Sequence, residues 1–308
     1  MINRIKRLLA LSMALLLLTG CWDKIEINEL AFVIALGIDM EEDGRYTVTC
    51  VIPNLPVYTG KEGGAQDEAK YTKTASASTI TGAYKELTTR LNKELNFEHM
   101  EALVLGDSLF QDPDKLKQLA NHVDRNAQYS KKIPVLAAKG KAADVLEAPT
   151  TDANAVGQYI SGIYENNASS IIRHFEVSLQ EFISKMSGEE INFLLPMVLL
   201  EEEEISIENA MVLKDGRNSG IMELKDMERY SWLRNFTTGL EYPLSLSHGV
   251  VSMEIEESKC KYGYAMDAEG RLTISLSIEA YAKIGEYAFD RGDDLAEESI
   301  RNEIERLA

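Results

Sequence analysis

One cysteine has the surroundings of a reactive thiol. Cys21 closes the tetrapeptide Leu18-Thr19-Gly20-Cys21, behind a basic start (Arg4, Lys6, Arg7) and a run from Leu8 to Leu18 whose only polar residue is Ser12. No acidic residue precedes it. Small residues before such a cysteine admit a diacylglyceryl group onto the thiol and then a specialised peptidase, which is the chemistry of the bacterial lipobox. The apolar run is about half of the ~20 residues a spanning helix needs, so residues 1–20 read as a lipoprotein signal peptide and not as an anchor. The mature chain is then expected to begin at Cys21, lipid-anchored at the outer face of the cytoplasmic membrane. At least two acyl chains are needed, because one chain at ~0.8 kcal/mol per buried CH₂ binds only marginally. Trp22, beside the lipidation site, is either an interfacial aromatic or a packing residue under the first lobe.

The other chemistry-bearing residues form no catalytic pattern. The four histidines, His99, His122, His174 and His248, fall in no metal-ligand spacing, and no cysteine pair accompanies them. His99, between Glu98 and Glu101, has a partner-facing or pH-sensitive reading, but a strand-end histidine satisfied by a backbone carbonyl is preferred. Asp39 reads as a turn-forming acid before a ligand. The run Glu201-Glu202-Glu203-Glu204 lacks the alternating oxygen ligands and glycine of a calcium loop, and reads as a solvated face. Nucleophile elbows, phosphate-cradling loops and dinucleotide fingerprints are missing from the sequence, so no catalytic, cofactor or metal site is expected. Cys50 and Cys260, far apart in sequence, read as two free buried thiols in preference to a bridge.

Charge excludes a further class. The 308 residues hold 32 Lys+Arg against 50 Asp+Glu, a formal charge of −18 that falls to −21 when Arg4, Lys6 and Arg7 leave with the signal peptide. No basic patch offsets this, so nucleic acid and anionic lipid are both repelled.

The elements that must position these residues alternate between strand and helix. Ala31 to Asp39 is dense enough for a buried strand, with Gly37 marking a bulge or a close backbone approach. Glu41-Glu42-Asp43-Gly44 turns the chain into a returning strand, Arg45 to Pro53. Residues 56–70 form a polar loop. Thr79 caps a helix carrying Ile80, Tyr84, Leu87 and Leu91, and Asp112-Pro113 opens another. Helices near 153–166 and 178–186 follow, then a buried strand from Ile191 to Leu200 in which Pro196 requires an edge or a bulge. Gly270 to Lys283 is a long alternating strand. A helix capped by Asp293-Asp294 carries Leu295, Ile300, Ile304 and Leu307 on one side.

A family resemblance rests on blocks in order along the chain. Cys21-Trp22-Asp23, Glu26-Ile27 and Ala31-Phe32-Val33, followed by Ala35 and Gly37-Ile38-Asp39, resemble the mature start of the Ger(x)C lipoproteins, the C subunits of spore germinant receptors. Asn96 to Gly106, Pro134 to Leu146, and Ala210 to Gly216 with Gly220-Ile221 and Leu233 resemble later blocks of the same family. The resemblance implies an α+β fold with mixed sheets. Its expected parts are an N-terminal region, residues 21–200, of about two lobes with a break near 148, and a shortened C-terminal α/β lobe, 206–308. It also implies a non-enzymatic subunit in the spore inner membrane, working with two membrane-embedded receptor subunits in nutrient-triggered germination. The alternative of another class is a solute-binding lipoprotein of an uptake system, with two similar lobes around a ligand cleft.

Overall fold

The computed structural model of the chain describes residues 4–6, 26–54, 70–149, 156–166, 175–189, 191–202, 204–246, 249–267, 269–289 and 302. A 3₁₀ turn, Ile27–Glu29, leads into β1 (Leu30–Phe32), β2 (Ala35–Met40), β3 (Tyr46–Pro53) and β4 (Lys70–Ala77). Helix α1 (Ile80–Thr88) begins at Thr79, whose hydroxyl oxygen accepts from the Gly82 N–H. Strands β5 (Glu94–Asn96) and β6 (Ala102–Leu105) precede α2 (Pro113–Arg125), which starts as expected behind Asp112. Strand β7 (Val135–Ala138) is followed by helices α3 (Ala142–Glu147), α4 (Val156–Asn166) and α5 (Leu179–Met186). Then come β8 (Phe193–Glu201), β9 (Glu204–Lys214), β10 (Arg217–Met222), α6 (Leu224–Arg234), β11 (Glu241–Leu246), β12 (Gly249–Met266) and β13 (Leu272–Phe289).

Eight strands make one mixed sheet in the order β10-β9-β8-β7-β6-β2-β3-β4. Its middle, β2-β6-β7-β8, is parallel, and antiparallel pairs close both sides. Parallel strands are covered on both faces, which is why Ala102–Leu105 and Val135–Ala138 are apolar without alternation. Successive residues divide between two layers. Leu36, Ile38, Leu103, Leu105 and Val135 join the larger core beneath α1, α2 and α5. Ala35, Ala102, Val104 and Leu136 join the second beneath α3 and α4. The architecture is α+β with mixed sheets, as the sequence implies.

Several expectations change in the details. The position near 148, expected to separate two lobes, lies between two helices on one face of this sheet, and the hydrogen-bonded order passes from β7 to β8 across it. The acidic run 201–204, expected as a solvated face, lies where β8 turns into β9: Glu201, Glu202 and Glu204 are exposed, Glu201 pairs with Glu204 and Glu202 has φ 49°. Pro196 sits in the interior strand β8, where the register shifts between Met197 and Val198, so the sheet takes the proline at a bulge. Residue 70 belongs to strand β4 and not to the preceding loop, the rest of which lies outside the described residues.

Beyond β10, helix α6 packs on β9 and β12, and β11-β12-β13 form a separate three-stranded sheet. Leu295, Ile300, Ile304 and Leu307 lie outside the described residues.

Gly37 pairs without interruption with Thr49 and Val104, so no bulge occurs there. A Cβ at this position would stand 2.7 Å from Leu146 Cδ1 and 3.3 Å from Ala142 Cβ. The glycine is the gap into which α3 fits. Gly157 serves α4 likewise, since a Cβ there would overlap the Ile34 carbonyl oxygen.

Candidate functional site

The ends of the three parallel strands β2, β6 and β7 converge on one buried carboxylate. Asp39 is 4% exposed and belongs to β2. Its Oδ1 accepts from the Ala142 N–H at 2.7 Å and its Oδ2 from the Ala143 N–H at 3.1 Å. Those are the first two amides of α3, whose own preceding residue, Lys141, supplies no side-chain cap. Asp39 therefore caps a helix more than a hundred residues away, where a negative charge also suits the helix dipole. Gly106 closes the pocket. Its N–H donates to the Ile38 carbonyl at 2.9 Å, and a Cβ there would overlap Asp39 Oδ1.

Lys70 finishes the clamp at the other end of α3. Its Nζ donates to the carbonyls of Leu146 and Ala148 at 3.1 and 2.6 Å. Burial pushes the Asp39 carboxyl above its ordinary range, while the two N–H bonds and Lys141 pull it back. The folded chain thus holds this proton at a pH where the unfolded chain has lost it, a contribution present at low pH and lost as pH rises through the folded value. Both carboxylate oxygens are spent on backbone amides. Asp39 is a positioning group for α3 and not a turn former.

The histidines are scattered. His99 lies in the exposed turn after β5, not on a strand, with its ring edge against Phe32 at 5.3 Å between centroids. His122, on α2, is wedged between Tyr84 and Tyr129, whose hydroxyls meet at 2.5 Å. Among the described residues its Nε2 is buried without a hydrogen-bond partner, and burial holds the imidazole below its ordinary value of 6.5. The unfolded chain therefore binds a proton first as pH falls below 6.5, and stability falls with it. His122→Phe removes that proton site, so its melting temperature should drop less than the native protein's between pH 7.5 and 5.5. Parallel drops in melting scans would remove His122 from the account.

Cys21, Trp22, His174 and His248 lie outside the described residues, as does Glu203. Glu201 makes an exposed ion pair with Lys139 at 3.5 Å. Cys50 and Cys260 are buried and free, and burial pushes the Cys50 thiol up to about 12. Among the described residues no three His, Cys, Asp or Glu side chains converge as a metal site would require. Sequence reasoning missed Gly106 and Lys70, whose partners are distant in the chain; the one local signal was a glycine directly after an apolar strand.

A family model described as the spore germination protein N-terminal domain matches residues 23–200. Among proteins of Bacillus subtilis (strain 168), YfkR is 26% identical over 279 residues, covering 86% of this chain and 70% of its own. Spore germination protein A3 is 23% identical over 282 residues, 87% of this chain and 74% of its own. Spore germination protein KC is 23% identical over 333 residues, 98% and 81% of the two chains. A crystal structure of the GerBC protein aligns over 92% of this chain and 83% of that one, at 16% identity and a TM-score of 0.44. With more than half of its length inside the family's domain, the chain belongs to the Ger(x)C family of spore germination proteins.

Proposed function

We propose that this protein is the lipid-anchored C subunit of a nutrient germinant receptor, needed for assembly of the receptor or for its signalling. The observation that carries the reading is the family match over 23–200 directly behind a lipobox cysteine. It acts from the outer face of the spore's inner membrane, through protein surfaces on two membrane-embedded partner subunits. No helix among the described residues is long and apolar enough to cross a membrane; the proposed attachment is lipid on Cys21.

Covalent geometry then limits how the body hangs. The six Cα–Cα steps from Cys21 to Ile27 reach at most ~21 Å. Ile27, 71% exposed, would therefore lie within that distance of the bilayer surface. A body of net charge −21 gains nothing from anionic lipid, so its orientation must come from protein contacts. The buried carboxylate is committed to a helix cap, which supports a binding and coupling role in place of catalysis. The uptake reading fits less well, because the described residues form one eight-stranded sheet from β4 to β10 and a smaller three-stranded one, which are not two similar lobes around a hinge.

Deleting the gene in the spore-forming host is the test, with dipicolinate release followed nutrient by nutrient. The response through this subunit's own receptor should be lost and other responses retained. Unchanged release with every nutrient that germinates the parent spores would overturn the proposal.

A further inference from the structure

A cleft of about 490 Å³ opens between the β8–β9–β10 end of the sheet and helix α6. Its walls are aromatic. Phe175 stands 6.1 Å from the rings of both Tyr230 and Phe236, and Phe193 also lines the cleft. Small-molecule sites are commonly concave, roughly 300–1,000 Å³, and mostly apolar with a few placed polar groups. The lining also carries Glu176, Glu181, Lys185 and Asn192, and among these polar groups Arg234 is the one set beside both Tyr230 and Phe236. Its guanidinium lies 5.9 Å from the Tyr230 ring and 5.5 Å from the Phe236 ring, and Nη1 donates to the Tyr230 hydroxyl at 3.3 Å.

In a chain with 50 Asp+Glu, no carboxylate among the described residues lies within 4 Å of Arg234, as is also true of Arg4, Arg125 and Arg217, whereas Arg45, Arg90, Arg229 and Arg271 are paired. What separates Arg234 from an ordinary surface arginine is its mounting. On one side Tyr262 donates its hydroxyl to the Leu233 carbonyl at 2.5 Å. On the other, Asn235, in the left-handed region at φ 60°, accepts the Cys260 N–H at 2.7 Å. Both contacts tie the end of α6 to β12 and so fix the backbone from which Arg234 projects.

The two acids on the wall are engaged. Glu181 pairs with Lys185 at 3.2 Å, and Glu176 makes interactions of its own and is shared with the neighbouring cleft beside Glu101. A planar cation between aromatic rings suits a carboxylate, which it can hold by two parallel N–H···O bonds.

We propose that this cleft binds a small organic carboxylate with an aromatic or branched apolar body. The carboxylate sits on Arg234 and the body lies among Phe175, Phe193 and Leu194. The proposal is independent of the receptor reading, because it concerns the isolated chain. The probe is phenylacetate, compared with its neutral analogue phenylacetamide, on the full-length chain in phosphatidylcholine nanodiscs, followed by saturation-transfer NMR with empty discs subtracted. Phenylacetate should bind at least ~10-fold more tightly than the amide, since a site built for a charge rejects the analogue lacking it. Arg234→Met, which keeps an aliphatic stem against the rings, should remove that preference while leaving the melting temperature near that of the native protein. Equal binding of acid and amide to the native chain, or no binding of either, overturns the proposal whatever the fate of the variant. A preference that survives Arg234→Met overturns the assignment of the carboxylate to this side chain.

Discussion

Gly106→Ala is expected to cost roughly 2–4 kcal/mol in the native protein, and much less once Asp39 has been removed. The cause is overlap between the new Cβ and Asp39 Oδ1, with Cγ only 3.0 Å away. The carboxylate has nowhere to retreat, because it holds the Ala142 and Ala143 amides and so fixes the start of α3. Asp39→Ala alone should cost roughly 2–3 kcal/mol, for a lost cap plus two buried amides left without an acceptor. The same truncation clears the space that a Cβ at 106 would fill. The double variant should therefore be more stable than the sum of the two losses by at least ~1 kcal/mol, the sign of a shared contact. Urea titrations of the four proteins decide the matter. Additive losses would mean that the strand ends relax independently and that Asp39 and Gly106 do not form one unit.

That unit also shows which parts of the molecule are legible in the sequence. Strands β2 and β3 and helices α1 and α2 follow from local signals: apolar density, an acidic turn, Thr79, and Asp112-Pro113. Each element carries its own cause within a few residues. Strand β4 does not. Lys70 to Ala77 has few large apolar groups, and it is held by cross-strand hydroxyl pairs, Ser76 with Thr47 at 2.6 Å and Thr74 with Thr49 at 3.1 Å. Those partners exist only after β3 is in place. Strand β12 hides its pattern behind charges, since of its 18 residues only Val251, Ile255 and Cys260 are buried.

The same limit governs the sites. Gly37 announces a close approach, but not that Leu146 is the side chain approaching. Asp39 reads as a turn because its helix lies more than a hundred residues away. Arg234 reads as an ordinary helix-terminal cation, and only the fold places it over the rings of Tyr230 and Phe236. A break near 148 is an expectation from the local chain, whereas the pairing that spans this point, Ala137 with Met197, joins strands 60 residues apart.

Cys21→Ala is expected to move the protein almost entirely from the membrane fraction to the supernatant in cells lacking the two partner subunits. Two acyl chains at ~0.8 kcal/mol per buried CH₂ supply a stable hold that a single chain does not. The remaining chain has little to replace it, with 29 Lys+Arg against 50 Asp+Glu once Arg4, Lys6 and Arg7 are gone. Surface charge cannot restore binding, and a high-salt wash should leave the native protein in the pellet, because the hold is apolar and not electrostatic. Partner subunits must be absent, since protein contacts of the kind proposed would retain some of the variant and hide the loss of lipid. Restoring them should then return part of Cys21→Ala to the membrane, in proportion to how much of the body's position is set by protein surfaces. A variant that stays in the pellet through the salt wash without its partners would refute the lipid anchor while leaving the family assignment untouched. A variant that stays soluble with the partners present would instead show that the tether is what brings the acidic body within reach of them.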